Sequence, residues 1–214
     1  VSTMIKYKGV LVLLLGLSVV LSAQGFTSNV SGEQTFNFVD KMGRNQATFY
    51  SETPIEDING TASEITGTAT LEVSDFSTLK GKIEITVESF KTGIEMRDGH
   101  IHGKNWLDSE LFPLVSFEIK SVSDIQKVSD TKLTAKVTGD FSLHGVTKEI
   151  TTEVKAQLLE ESEKTKSRMK GDLLSVRASF NVKLSEFGVE NNVIGNKVAD
   201  DIEVGINMVG TNSK

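Results

Sequence analysis

Cysteine is absent from the sequence, which excludes disulfide bonds, thiolate metal ligands, cysteine nucleophiles and a lipidated N-terminal cysteine. Whatever fold forms must be held by its apolar core. Basic residues are the minority, with 23 Lys and Arg against 29 Asp and Glu. Nucleic-acid phosphates are bound through a basic face, and none is visible, so a nucleic-acid partner is not expected. Proline, tryptophan and histidine are scarce, at two, one and three residues, and no stretch is rich enough in Pro, Gly or Ser to read as an interdomain linker. Catalytic and nucleotide-binding signatures are missing as well. There is no G-x-S-x-G elbow, no G-x-x-x-x-G-K-S/T loop and no H-E-x-x-H pair. The expectation is a protein that is not an enzyme and carries no cofactor.

Long apolar runs are also lacking, apart from the twelve residues Val10 to Leu21. Lys6 and Lys8 precede that run and the small residues Ser22 and Ala23 follow it, which is the pattern of a secretory signal peptide. A membrane-spanning helix needs about 20 apolar residues, so this segment is too short to be one. The reading is a signal peptide over residues 1–23 and one domain over residues 24–214, exported to the periplasm or secreted. Without Lys6 and Lys8 the balance is 21 basic against 29 acidic residues, a net charge of −8.

What is present is alternation. From Leu133 to Leu143 the odd positions are Leu, Ala, Val, Gly, Phe and Leu, and the even ones are Thr, Lys, Thr, Asp and Ser. Strand side chains alternate between faces, so this segment buries one face and wets the other. The same period recurs at Ala69–Val73, Ile83–Val87, Val115–Ile119, Ile150–Leu158, Leu174–Leu184 and Ile202–Met208. With further strands near Thr35–Val39 and Ala47–Tyr50, eight or nine are expected. Strands that keep a polar face belong to antiparallel sheets, and helices are too few to cover a parallel one. The expected fold is all-β, a single antiparallel up-and-down barrel that closes its hydrogen-bonding edges.

One segment departs from this pattern. Residues 96–113, MRDGHIHGKNWLDSELFP, hold two of the three histidines and the only tryptophan, within a long connection over residues 91–114. Connections of this length are functional or carry a helix. A short helix is expected at Lys104–Leu111, with Trp106, Leu107, Leu111 and Phe112 on one apolar side against the barrel. Gly99 and Gly103 bracket His100-Ile101-His102; if those residues are extended, both histidines face the same way, with Asp98, Asp108 or His144 as conceivable further metal ligands. No third ligand is set by spacing, and hydrogen bonding that fastens the loop is favoured over a metal. Arg97-Asp98 reads either as an ion pair or as a guanidinium offered to a head group.

The residues Thr92-Gly93, Arg97-Asp98, His100-Ile101, Trp106-Leu107-Asp108, Phe112-Pro113 and Phe117 resemble the signature of the YceI-like family of exported polyisoprenoid-binding proteins. A second family element resembles Gly139 to Lys148, and a closing F-G turn and strand resemble Glu186 to Val189 and Val198 to Val209. The resemblance spans about residues 35 to 210. Departures include His102 where Arg is common, Trp106-Leu107 in place of a phenylalanine pair, and no early His or G-x-F turn within Gln46–Gly60.

The resemblance implies a lipocalin-like barrel that encloses a long isoprenoid chain, quinone or polyprenyl. On that basis Val137, Phe141, Val154, Val176, Phe180 and Val204 are the candidate contacts of the apolar tail. Arg97, His100, His102 and Lys104 are the candidates for a head group or for anchoring the loop. The acidic net charge favours a neutral, quinone-like head, and a homodimer is conceivable. The competing reading is a ligand-free structural or stress-related interaction module with a packed barrel core, because alternation is the same whether the lumen is full or empty.

Overall fold

A computed structural model of the chain describes residues 24–213; the expected signal peptide lies outside the described residues. Among the described residues ten strands form, named in chain order. They are β1 (Glu33–Asn37), β2 (Gln46–Glu52), β3 (Asp57–Ala62), β4 (Ile65–Glu72), β5 (Asp75–Thr86), β6 (Leu114–Ser129), β7 (Lys132–Leu143), β8 (Val146–Leu159), β9 (Leu173–Lys183) and β10 (Asp201–Thr211). Helix α1 (Glu95–His102) lies between β5 and β6, and a single turn, α2 (Glu163–Lys166), lies between β8 and β9.

All pairings between these strands are antiparallel, and consecutive strands from β4 to β10 are neighbours. β1 and β2 run in the same direction along β10, with Asn37 opposite Thr211 and Gln46 opposite Asn207. β3 lies on β2, and β4 lies on β1. Thus β1–β2 and β3–β4 are two interrupted staves, and the sheet closes as an eight-strand barrel. This is the expected architecture, with two of its staves broken into shorter strands.

The alternation read from Leu133 to Leu143 is the burial pattern of β7: Leu133, Ala135, Val137, Gly139, Phe141 and Leu143 are buried and the residues between them are not. The β7–β8 hairpin turns on His144 and Gly145, with φ of 49° and 76°. Two successive left-handed residues are what a tight hairpin turn needs to match the strand twist. Any side chain at position 145 would also meet the Phe112 ring, 2.5 Å from where a Cβ would stand.

The expected helix at Lys104–Leu111 does not form. Asp108 sits at φ 47°, in the left-handed region, which no right-handed helix can run through. The helix is instead α1, one segment earlier, and residues 103–112 fold as successive turns, with Trp106 N–H donating to Gly103 O at 2.9 Å and Ser109 N–H to His102 O at 2.9 Å. Only part of the expected apolar side packs: Leu107 is buried, Trp106 is partly buried and the Phe112 ring meets His144 at 4.8 Å, whereas Leu111 is 67% exposed. The charged run Glu160–Lys170 between β8 and β9 carries α2, capped by Ser162 and Thr165 in a reciprocal capping box.

Candidate functional site

α1 and its flanking turns cover one end of the barrel, and the connection from Leu184 to Asp200 covers the same end from the opposite side. α1 is fastened at its start: the Asp98 carboxylate accepts the Thr92 N–H at 2.6 Å and the Thr92 hydroxyl at 2.8 Å. Burial works to raise the Asp98 pKa, but these two hydrogen bonds outweigh it and hold the carboxyl below its ordinary value. The Arg97 guanidinium reaches across to Glu56, between β2 and β3, at 2.9 Å. Ala199 N–H donates to the buried Ser51 hydroxyl of β2 at 2.8 Å, and Asn191 Nδ2 donates to Asn105 O at 3.3 Å, joining the two coverings.

Beneath them lies a cavity of about 820 Å³ with an overwhelmingly apolar wall. Ile58, Phe49, Ile202, Val204 and Val182, from the neighbouring strands β3, β2, β10 and β9, line one wall, Ile85, Val115 and Leu143 of β5, β6 and β7 line another, and Trp106 and Leu107 lie above. A volume of this size lies within the range of small-molecule binding sites. A second, smaller apolar space of about 110 Å³ continues deeper into the barrel. Val176, Ala178 and Phe180 of β9 point into this interior yet are only partly buried, because they face open space and not an opposite wall.

The candidate tail residues all line one or both spaces. Val204 lines the larger, Val137, Val154 and Val176 line the smaller, and Phe141 and Phe180 line both. Among the head-group candidates, Arg97, His100 and Lys104 lie on the rim of the larger cavity. His102 does not. Its Nε2 lies 2.9 Å from Phe90 O, and since a carbonyl can only accept, that nitrogen donates. Its Nδ1 is 3.4 Å from Glu88, whose other oxygen accepts from the Ser109 hydroxyl. His102 therefore fastens the turn after α1 to the end of β5.

The extended arrangement considered for the histidines is replaced by a helix, in which residues two apart point to nearly opposite sides. Among the described residues, no group of three or more His, Asp or Glu side chains converges to hold a metal. Rim charges are also largely compensated: Arg97 by Glu56, and Lys104 by Glu110 at 3.8 Å. Sequence reasoning missed Asn105, Asn191, Val193, Lys197 and Val198, which all line the cavity. The last four sit in an irregular connection without periodicity, so only tertiary structure brings them to the mouth.

The YceI-like domain family matches the chain over residues 21–210. A UPF0312 protein of Pseudomonas fluorescens is 36% identical over 104 residues, covering 49% of this chain and 52% of the relative. One of Pseudomonas savastanoi pv. phaseolicola is 34% identical over 137 residues, covering 62% and 64%. The chain thus aligns with between about half and just under two thirds of the length of these curated relatives. Among solved structures, Burkholderia cenocepacia BcnA superposes with a TM-score of 0.63 at 17% identity, covering 80% of this chain and 99% of that one. A domain from Saccharophagus degradans described as polyisoprenoid-binding superposes with a TM-score of 0.61 at 12% identity, covering 86% and 100%. At these identities the structural likeness concerns the fold alone.

Proposed function

The chain belongs to the YceI-like family, and on that premise we propose that it is an exported, non-enzymatic carrier that encloses an isoprenoid chain in the barrel. The observation that carries this reading is the apolar cavity of about 820 Å³ under α1, a volume that a packed interaction module would have filled with side chains. Polyisoprenoid binding by the Saccharophagus degradans domain of the same fold supports the same ligand class.

Burial alone supplies the affinity. Each methylene removed from water contributes about 0.8 kcal/mol, so a prenyl chain is held tightly without specific polar contacts. The polar end of the ligand then rests at the rim near His100, Lys104 and Lys197. Because Arg97 is already paired with Glu56 and Lys104 lies near Glu110, the rim concentrates little positive charge, and a neutral quinone-like or alcohol head fits it better than a pyrophosphate.

Native mass spectrometry of the purified protein, paired with organic extraction, tests the proposal. The expected result is a bound mass that matches an isoprenoid in the extract, or uptake of added ubiquinone by the stripped protein. A protein-only mass, an extract free of isoprenoid and no uptake would sink it.

A further inference from the structure

The two interior spaces meet at a ring of five side chains, the only ones among the described residues that line both: Ile85, Val115, Phe141, Phe180 and Ile206. Each comes from a different stave, β5, β6, β7, β9 and β10, so the ring crosses the barrel as a collar. Its two aromatic members meet edge to face, with centroids 5.6 Å apart and planes at 75°. Phe141 is held from its far side by the buried Phe187 ring at 5.4 Å and 90°. Edge-to-face pairs of this kind resist displacement beyond what area burial provides.

Below the collar the interior does not end. The smaller space continues along β9 from Phe180 past Ala178 and Val176 to Leu174, six residues or roughly 20 Å of strand at about 3.4 Å per residue. That space is apolar and suited in chemistry to a prenyl chain, but its volume is only about 110 Å³ against about 820 Å³ above.

Resting on the carrier reading, we infer that Phe141 and Phe180 determine ligand length: they form the floor of the occupied site and stop the chain before it enters the lower space. A prenyl chain shorter than the upper cavity is wholly enclosed. Each added unit increases affinity until the chain end reaches the collar, after which further units protrude from the mouth and add nothing. A buried methylene contributes about fourfold in affinity, so the plateau is a sharp feature of the length series.

The experiment measures displacement of anilinonaphthalene sulfonate by farnesol, geranylgeraniol, solanesol and undecaprenol. The wild-type chain is compared with Phe180→Val and with the milder Phe141→Leu, each checked for a native circular dichroism spectrum. In the wild type, affinity is expected to rise and then level off along the series. In Phe180→Val the levelling should move to longer alcohols, with at least a tenfold gain for the longest relative to farnesol. Adding Leu79→Phe, which fills the lower space, should cancel that gain. An unchanged plateau in both folded collar variants overturns the inference while leaving the carrier reading intact. Failure of every alcohol to displace the probe from the wild type overturns both.

Discussion

The two ends of the barrel are built in opposite ways. At the lower end, Phe36, Phe38, Phe76 and Leu71 are at most 1% exposed, and the segment before β1 closes the floor. Phe26 N–H donates to Val73 O at 2.8 Å, Thr27 N–H to Asp130 O at 2.7 Å, and the Phe26 ring meets Phe76 at 5.7 Å. Where β1 gives way to β2, Asp40 accepts from Arg44 at 2.9 Å and lies 3.3 Å from Arg168. Asn45, 1% exposed, bonds both Phe38 O and the Val209 backbone. At the upper end the inward residues face a cavity, and a handful of polar tethers hold the covering segments. Close packing is concentrated in one end and the apolar cavity in the other, and segments that cover such a space are expected to belong to the less stable parts of a fold.

The largest effect that would break this contrast is a cavity in the closed end. Phe38→Ala should lower unfolding stability by about 3–5 kcal/mol in chemical denaturation, because the ring is wholly enclosed and backbone at Gly210 packs against it. A loss under about 1 kcal/mol would mean that the closed end is no better packed than the open one.

Asp40→Ala should cost less, about 1–3 kcal/mol, because its two arginine partners are about one third exposed and are partly screened by water. The carboxylate also carries a pH signature. Burial works to raise its pKa, but hydrogen bonds from Arg44 and the Met42 amide, with the charges of both arginines, outweigh it and leave it below the ordinary value. A depressed folded-state pKa stabilises above the unfolded value, and that contribution disappears as pH falls through the folded value. Melting temperature in the wild type should therefore drop below about pH 4, and the variant should show a shallower acid dependence. Identical acid profiles would remove Asp40 from the account.

The smallest global effect is expected at the open end. Asp98→Ala leaves the Thr92 N–H and hydroxyl without their acceptor and frees the start of α1. Amide exchange across α1 should quicken about tenfold, equivalent to about 1.4 kcal/mol of local opening, while the global melting transition moves little. A large global loss would show that the lid and the barrel unfold as one unit, erasing the distinction between the ends.

Much of this architecture was legible in the residues. β7 follows the period-2 reading residue for residue, and the long strands with one polar face led to an antiparallel barrel because strand side chains alternate. The helix in the long connection was misplaced for a local reason. Trp106, Leu107 and Leu111 have helical spacing, but spacing carries no information about the left-handed backbone at Asp108, which aspartate tolerates better than most residues. His100 and His102 looked equivalent, yet the helix turns one to the rim and the other to Phe90 and Glu88. The contribution of Asn191, Val193, Lys197 and Val198 to the cavity had no signal in the sequence, since these residues come to its mouth only after the barrel closes.

The sequence by itself determined which side chains face inward, and with them an antiparallel barrel of eight or nine strands, because alternation along a strand is a local property. Only the tertiary structure decided that the inward faces stand apart around a cavity, divided by Phe141 and Phe180. The distance between opposite walls depends on how ten strands bend and close together, and no single strand records it.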